Sequence, residues 1–269
     1  MDLPHPAAAA PLPARDRVLI RCCVLAVVAL AWAYLLYLDR QMMQAMPDGA
    51  MSGRMDMLDM PMARPWTRAD FVFSFVMWAV MMIGMMAAST IPVLLLFAGA
   101  HAKRSGHGAS TMALIFGLGY AIVWTGFSAL AALTQWALHD AALLSPELAT
   151  SSARLGGAIL CAAGVYQLTP LKRACLQHCR SPLGFLMTRW RDGKLGALQM
   201  GMRHGTYCLG CCWALMGLLF VVGVMNLAWV AALALFVLLE KAGPAGMALA
   251  RVGGVAMIAA GMFVLAGLR

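Results

Sequence analysis

Charge is scarce in this chain. Asp, Glu, Lys and Arg make up 12% of 269 residues, about half the share of a soluble domain. Acidic residues are the scarcer sign, 11 against 20 basic ones. So thin a charge supply argues against a water-facing shell around the whole chain. Three patterns are also missing: G-x-x-x-x-G-K-[ST], H-E-x-x-H and G-x-S-x-G. Their absence argues against ATP-driven transport, zincin chemistry and α/β-hydrolase chemistry within this sequence. No internal repeat is visible, and low complexity is confined to the Ala/Pro-rich residues 3–14. Residues 1–17 read as a disordered cytoplasmic tail.

What is abundant is apolar, at 62% of the residues. A hydrocarbon core of about 30 Å takes roughly 20 apolar helical residues. Seven runs approach that length: 18–38, 71–100, 111–138, 153–169, 206–223, 226–240 and 247–268. The fourth and sixth are short. The second is long, with Pro92 inside it, where proline bends a helix. Arg15, Arg17 and Arg21 precede the first run as in a signal peptide, but no small-residue cleavage site follows it. These runs predict an all-α fold, a polytopic transmembrane bundle of about seven spans occupying residues 18–269.

The net charge of +9 does not point to nucleic acid, because the basic residues lie in short segments between apolar runs. With the N-terminus inside, the inner segments hold most of them, chiefly Lys172, Arg173, Arg180, Arg189, Arg191, Lys194 and Arg203. The outer segments hold most of the acids, including Asp39, Asp48, Asp56, Asp59 and Asp70. This is the cytoplasmic bias expected of an inner-membrane protein. Seven spans then leave the C-terminus outside. A break near Met225 and Asn226 would reverse that if residues 206–240 were not two spans.

The 23 methionines and eight cysteines are clustered. The outer loop 39–70 carries Met42, Met43, Met46, Met51, Met55, Met57, Met60 and Met62. Neutral thioethers suit Cu(I) and survive an oxidising compartment; the alternative is a loop packed on the membrane surface. In the second span, Met77, Met81 and Met85 recur every four residues, with Met82 and Met86 beside them. Such a stripe lines a sulfur path or fills a core. Cys208, Cys211 and Cys212 share one helix face at i, i+3 and i+4. They could hold Cu(I), or Zn(II) with a fourth ligand; Gly201, Gly205, Gly210 and Gly217 nearby would also suit a small-residue packing face. In the basic inner loop 171–205, Cys175 and Cys179 lie one turn apart with His178 between them. Lys172, Arg173 and Arg180 around them should lower the thiol pKa. Glu240 and Lys241, at the inner end of the sixth run, are either functional ionisable residues at membrane depth or a simple interfacial pair. His101, His107 and His204 also fall on the inner side, where each alone reads as a loop residue before a ligand.

Several segments together resemble a known family: Met81-Met82-x-x-Met85-Met86, Tyr166-Gln167-Leu168-Thr169-Pro170 through Cys175 and Cys179, Gly205 through Cys208-Leu209-Gly210-Cys211-Cys212-Trp213-Ala214-Leu215-Met216, Met225-Asn226-Leu227-x-Trp229, and Glu240-Lys241. The family is described as bacterial predicted metal-binding integral membrane proteins. The resemblance covers residues 70–269 and implies a metal-linked role, copper foremost, for these residues.

The leading expectation is therefore a membrane transporter or metallochaperone for Cu(I). Its partners are the lipid bilayer, the metal ion and a periplasmic or membrane metal-accepting protein. The alternative is a thiol–disulfide redox protein using the same cysteines.

Overall fold

The structure, a computed structural model, describes residues 12–45, 66–105, 108–141 and 152–267. Met46 to Met62 of the outer loop lie outside the described residues, so the metal-capture reading of that loop is not addressed. The same holds for most of the expected disordered tail.

Among the described residues every regular element is a helix. In chain order they are α1 (Ala14–Ala45), α2 (Arg68–Met86), α3 (Ile91–Ser105), α4 (Ala109–Asp140), α5 (Ala153–Leu168), α6 (Pro170–Arg180), α7 (Pro182–Arg189), α8 (Gly193–Gly217), α9 (Leu219–Val222), α10 (Leu227–Ala242) and α11 (Gly246–Leu265). Five helical stretches are long and apolar enough to cross a membrane: Ala14–Gln41, Arg68–Ser105, Ala109–Asp140, Gly193–Val222 and Gly246–Leu265. The two short runs of the sequence become α5 and α10, with 16 residues each. Such a helix rises about 24 Å.

Helix starts are written locally. Thr67 and Asp70 form a reciprocal capping box at α2, which satisfies two of the free N–H groups at a helix end. Thr169 accepts from the Lys172 amide (3.2 Å) at the start of α6, with Pro170 in the first turn. Asn226 accepts from the Trp229 amide (3.3 Å) and opens α10, so the expected break near Met225 is present. Gly223, at φ 94°, makes the turn before it, a backbone conformation that glycine adopts freely.

Within the long stretch Arg68–Ser105 the helix changes at the proline: α2 ends at Met86, a 3₁₀ turn spans Ala87–Thr90, and Pro92 sits in the first turn of α3. A proline ring clashes with the carbonyl four residues earlier, so the chain tightens ahead of it. The inner loop expected at 171–205 is helical. Residues 170–189 form α6 and α7, and α8 begins at Gly193, well before the apolar run at 206. Leu176 and Lys172 of α6 are buried against the rest of the bundle.

Glycine faces let the helices approach closely. A Cβ at Gly201 of α8 would lie 1.9 Å from the Phe116 carbonyl oxygen of α4, and one at Gly119 of α4 would lie 2.2 Å from the Leu198 oxygen of α8. Between α5 and α11, Cβ atoms at Gly164 and Gly261 would meet the Gly254 and Gly157 oxygens at 2.6 and 2.8 Å. Small residues at such crossings are the usual means of close helix packing in lipid. Thus Gly201 and Gly205 do form the packing face that the sequence allowed, while Gly217 has open space beside it. The obstruction at Gly201 is a Cβ against the neighbouring backbone, which cannot rotate away. Gly201→Ala should therefore leave little folded protein, seen as a large drop in the monodisperse fraction after detergent extraction. Gly217→Ala should match the parent chain.

The outward faces are apolar. Leu30, Leu114, Leu195 and Val252 are each more than 60% exposed. The interior has two apolar clusters. One contains the second-span methionines and the α8 cysteines; the other centres on Phe97, Phe116, Phe185 and Met200.

Candidate metal-binding site

Helix α8 runs through the middle of the bundle, packed on α4 and α6. Its three cysteines, Cys208, Cys211 and Cys212, are buried. Their thiols turn back on the helix: Cys211 and Cys212 donate to the Cys208 carbonyl oxygen at 3.1 and 2.9 Å. Helix α6 lies across the same face. Its Cys179 Sγ is 3.9 Å from Cys211 Sγ, and the Cys175 sulfur rests over Gly210, where a Cβ would come within 2.8 Å of it. The two thiol clusters are therefore one group of five, and all are free thiols.

A buried ion pair holds α6 in place. Lys172 Nζ meets Glu240 Oε2 of α10 at 2.8 Å and Oε1 at 3.0 Å, with both side chains 1% exposed. Gln167 Nε2 donates to Glu240 Oε1 at 2.9 Å, and Arg180 donates to the Glu240 carbonyl oxygen at 2.6 Å. Tyr166 of α5 also donates to the Gly210 carbonyl oxygen of α8. Glu240 thus pairs with Lys172 and not with its sequence neighbour Lys241, which corrects the interfacial-pair expectation.

Lys241 turns instead into the sulfur group. Its Nζ is 3.0 Å from Cys208 Sγ, 3.6 Å from Met86 Sδ and 3.3 Å from Ser89 Oγ. Tyr120 Oη of α4 is 3.0 Å from Cys208 Sγ on another side. The Cys208 sulfur is therefore met by an amine and a phenol together.

The expected lowering of the α6 thiols does not occur. Burial, then the nearby Cys211 sulfur, pushes the Cys175 thiol up. Hydrogen bonds given to Cys208 and Cys211, then burial, push the Cys179 thiol well up. The cations that were to do the opposite are engaged elsewhere: Lys172 and Arg180 on Glu240, Arg173 at the exposed surface.

The methionines divide. Met86 Sδ is 4.0 Å from Cys212 Sγ and extends the sulfur group toward α2. Met77, Met81, Met82 and Met85 are buried in the same apolar cluster. His178 is not brought in. It is exposed, stacks on Tyr207 at 4.3 Å between ring centroids, and its Nδ1 lies 2.8 Å from the Ala174 carbonyl oxygen. His204, read from the sequence as an inner loop residue, is buried one turn before Cys208 on α8. Its four-residue spacing from Cys208 was the available signal.

Among the described residues, no group of three or more His, Cys, Asp or Glu side chains is placed to hold a metal ion. What is built is two sulfur contacts on neighbouring positions of α8, Cys211 with the Cys179 thiol and Cys212 with the Met86 thioether. That donor set suits Cu(I), which accepts low coordination and soft sulfur, better than a hard or strictly tetrahedral ion.

A protein-family model described as "PpoB2: Copper chaperone" matches residues 75–264. No curated protein and no solved structure matches the chain.

Proposed function

This chain belongs to the PpoB2 copper chaperone family, and from that premise we propose that it is a seven-span inner-membrane protein, N-terminus inside, that holds and passes on Cu(I). The observation that carries the reading is the convergence of α6 and α8: Cys175 and Cys179 on one, Cys208, Cys211 and Cys212 on the other, with Met86 adjoining. The apolar outward faces and the apolar lengths of five helices support the bilayer. The basic inner segments support the orientation.

In this reading the ion enters among the second-span thioethers and reaches Met86, which touches Cys212. From there it moves to a thiolate pair drawn from Cys179, Cys208 and Cys211. Thiolates hold Cu(I) more tightly than thioethers, so affinity rises in that direction. Each move is an exchange of one sulfur for the next, with no change of oxidation state. Cu(I) between two thiolates leaves a negative charge in a low-dielectric interior, and an unpaired buried charge is costly. Lys241 supplies the balancing positive charge at Cys208. Lys241→Met should weaken Cu(I) binding by about 10–100-fold, the range for residues just outside a metal's ligands. Lys241→Arg should recover part of the loss. Competition against a chromophoric Cu(I) chelator measures both.

The reading is tested by anaerobic Cu(I) titration of the purified full chain against such a chelator. The parent should retain copper. A variant with Ser at 175, 179, 208, 211 and 212 should not. Retention by that variant would remove the site.

The 3.9 Å between Cys179 and Cys211 sulfurs also allows a disulfide, the bond a thiol–disulfide relay would use. A trapped mixed disulfide with a partner would support that second reading. Fully reduced thiols with copper bound would oppose it.

A further inference from the structure

The buried side of α8 carries a soft donor at every fourth position over most of its length. Met200, His204, Cys208, Cys212 and Met216 are 2%, 4%, 1%, 1% and 0% exposed. Residues four apart on a helix lie one above the other, about 5–6 Å between Cβ atoms, with a slow drift around the axis. The thiols occupy the middle of this row. The rung toward the start of α8 is a histidine in an otherwise apolar enclosure.

His204 is walled by three aromatic rings. Phe116 and Tyr120 of α4 and Phe185 of α7 stand at 6.0, 5.9 and 5.9 Å between centroids. Its Nδ1 is buried and has no hydrogen-bond partner among the described residues. A buried nitrogen without a partner is costly, and native structures keep few of them without a reason. Tyr120 spans the step to the thiols, its ring against His204 and its hydroxyl 3.0 Å from Cys208 Sγ. Beyond His204 lies Met200, whose sulfur accepts from the Arg191 amide at 3.3 Å. Arg191 is exposed, so Met200 reaches the edge of the bundle.

We propose that His204 Nδ1 is a nitrogen ligand for Cu(I), next in line after Cys208, and that Met200 follows it as the last soft donor before the surface. The inference rests on the copper reading above and adds a step to it. The cargo leaves the thiolates by exchanging one sulfur for the imidazole nitrogen, then that nitrogen for the Met200 thioether. The ion stays Cu(I) throughout, and no electron moves. Imidazole is a neutral, borderline donor that copper accepts, without the charge or the softness of a thiolate. It therefore lowers the step down from the tightest part of the row.

The test is X-ray absorption at the copper edge on the full chain loaded with Cu(I), as parent, His204→Phe and His204→Gln. The parent should show sulfur together with an imidazole nitrogen. Both variants should lose the imidazole signature and keep the sulfur. Their release of copper to a chelator should slow by about tenfold, the lower end of the effect of a residue beside the tightest ligands. Sulfur ligation in the parent with no imidazole would overturn the role of His204 and leave the thiol site standing. So would an imidazole signature that persists in both variants. A parent with no sulfur-bound copper would instead overturn the copper reading itself, and this inference with it.

Discussion

Cys208→Ser should remove tight Cu(I) binding from the full chain, while Cys22→Ser and Cys23→Ser should leave it unchanged. Cys208 is the hub of the sulfur group. Its sulfur meets Lys241 and Tyr120, each at 3.0 Å. A serine hydroxyl is a hard, protonated donor and a poor partner for Cu(I). The substitution also strands the Lys241 amine without the sulfur it faces. Loss of about 100-fold or more in affinity is expected, beyond that for residues outside the ligand set. Cys22 and Cys23 lie exposed on α1, away from this group. Competition with a Cu(I) chelator reads all three variants, and near-parental affinity in Cys208→Ser would displace Cys208 from the site.

Glu240→Ala should be strongly destabilising, at about 3–5 kcal/mol, because it leaves Lys172 buried and unpaired. Lys172→Met should cost a similar amount by stranding Glu240. Replacing both together, with Met at 172 and Leu at 240, should recover much of the loss, since apolar residues of similar size often serve as well as a buried pair. The pair has a second consequence. It clamps α6 to α10 and so keeps Cys175 and Cys179 on α8. Glu240→Ala should therefore raise the alkylation rate of Cys179 along with lowering the melting temperature. A lower melting temperature with unchanged Cys179 reactivity would mean that other contacts hold α6.

The helical class and the apolar lengths were legible in the sequence because each depends on residues close together in the chain. The same holds for the stop at Met225, written by Asn226 as a cap, and for the shared face of Cys208, Cys211 and Cys212. The docking of α6 was not legible. It depends on Lys172 meeting Glu240 across 68 positions, and on a short helix whose charged residues read as a solvated loop. That hidden pairing also explains the failure of the thiol expectation at Cys175 and Cys179. Lys172 and Arg180 turn to Glu240 in space and Arg173 to the surface, so burial at Cys175, and hydrogen bonding with burial at Cys179, decide. The surroundings of Lys241 and His204 are not legible for a related reason. In sequence each is a residue near a membrane boundary, and what sits beside it is supplied by other helices.

The most direct test is to label the thiols of the full chain with an alkylating reagent before and after one equivalent of Cu(I), and to read each site by mass spectrometry. Cys175 and Cys179 are only partly covered and should react without copper. With copper both should be protected, and Cys208→Ser should abolish that protection. If Cys175 and Cys179 react at the same rate whether or not copper is bound, the thiols of α6 and α8 do not hold one ion between them.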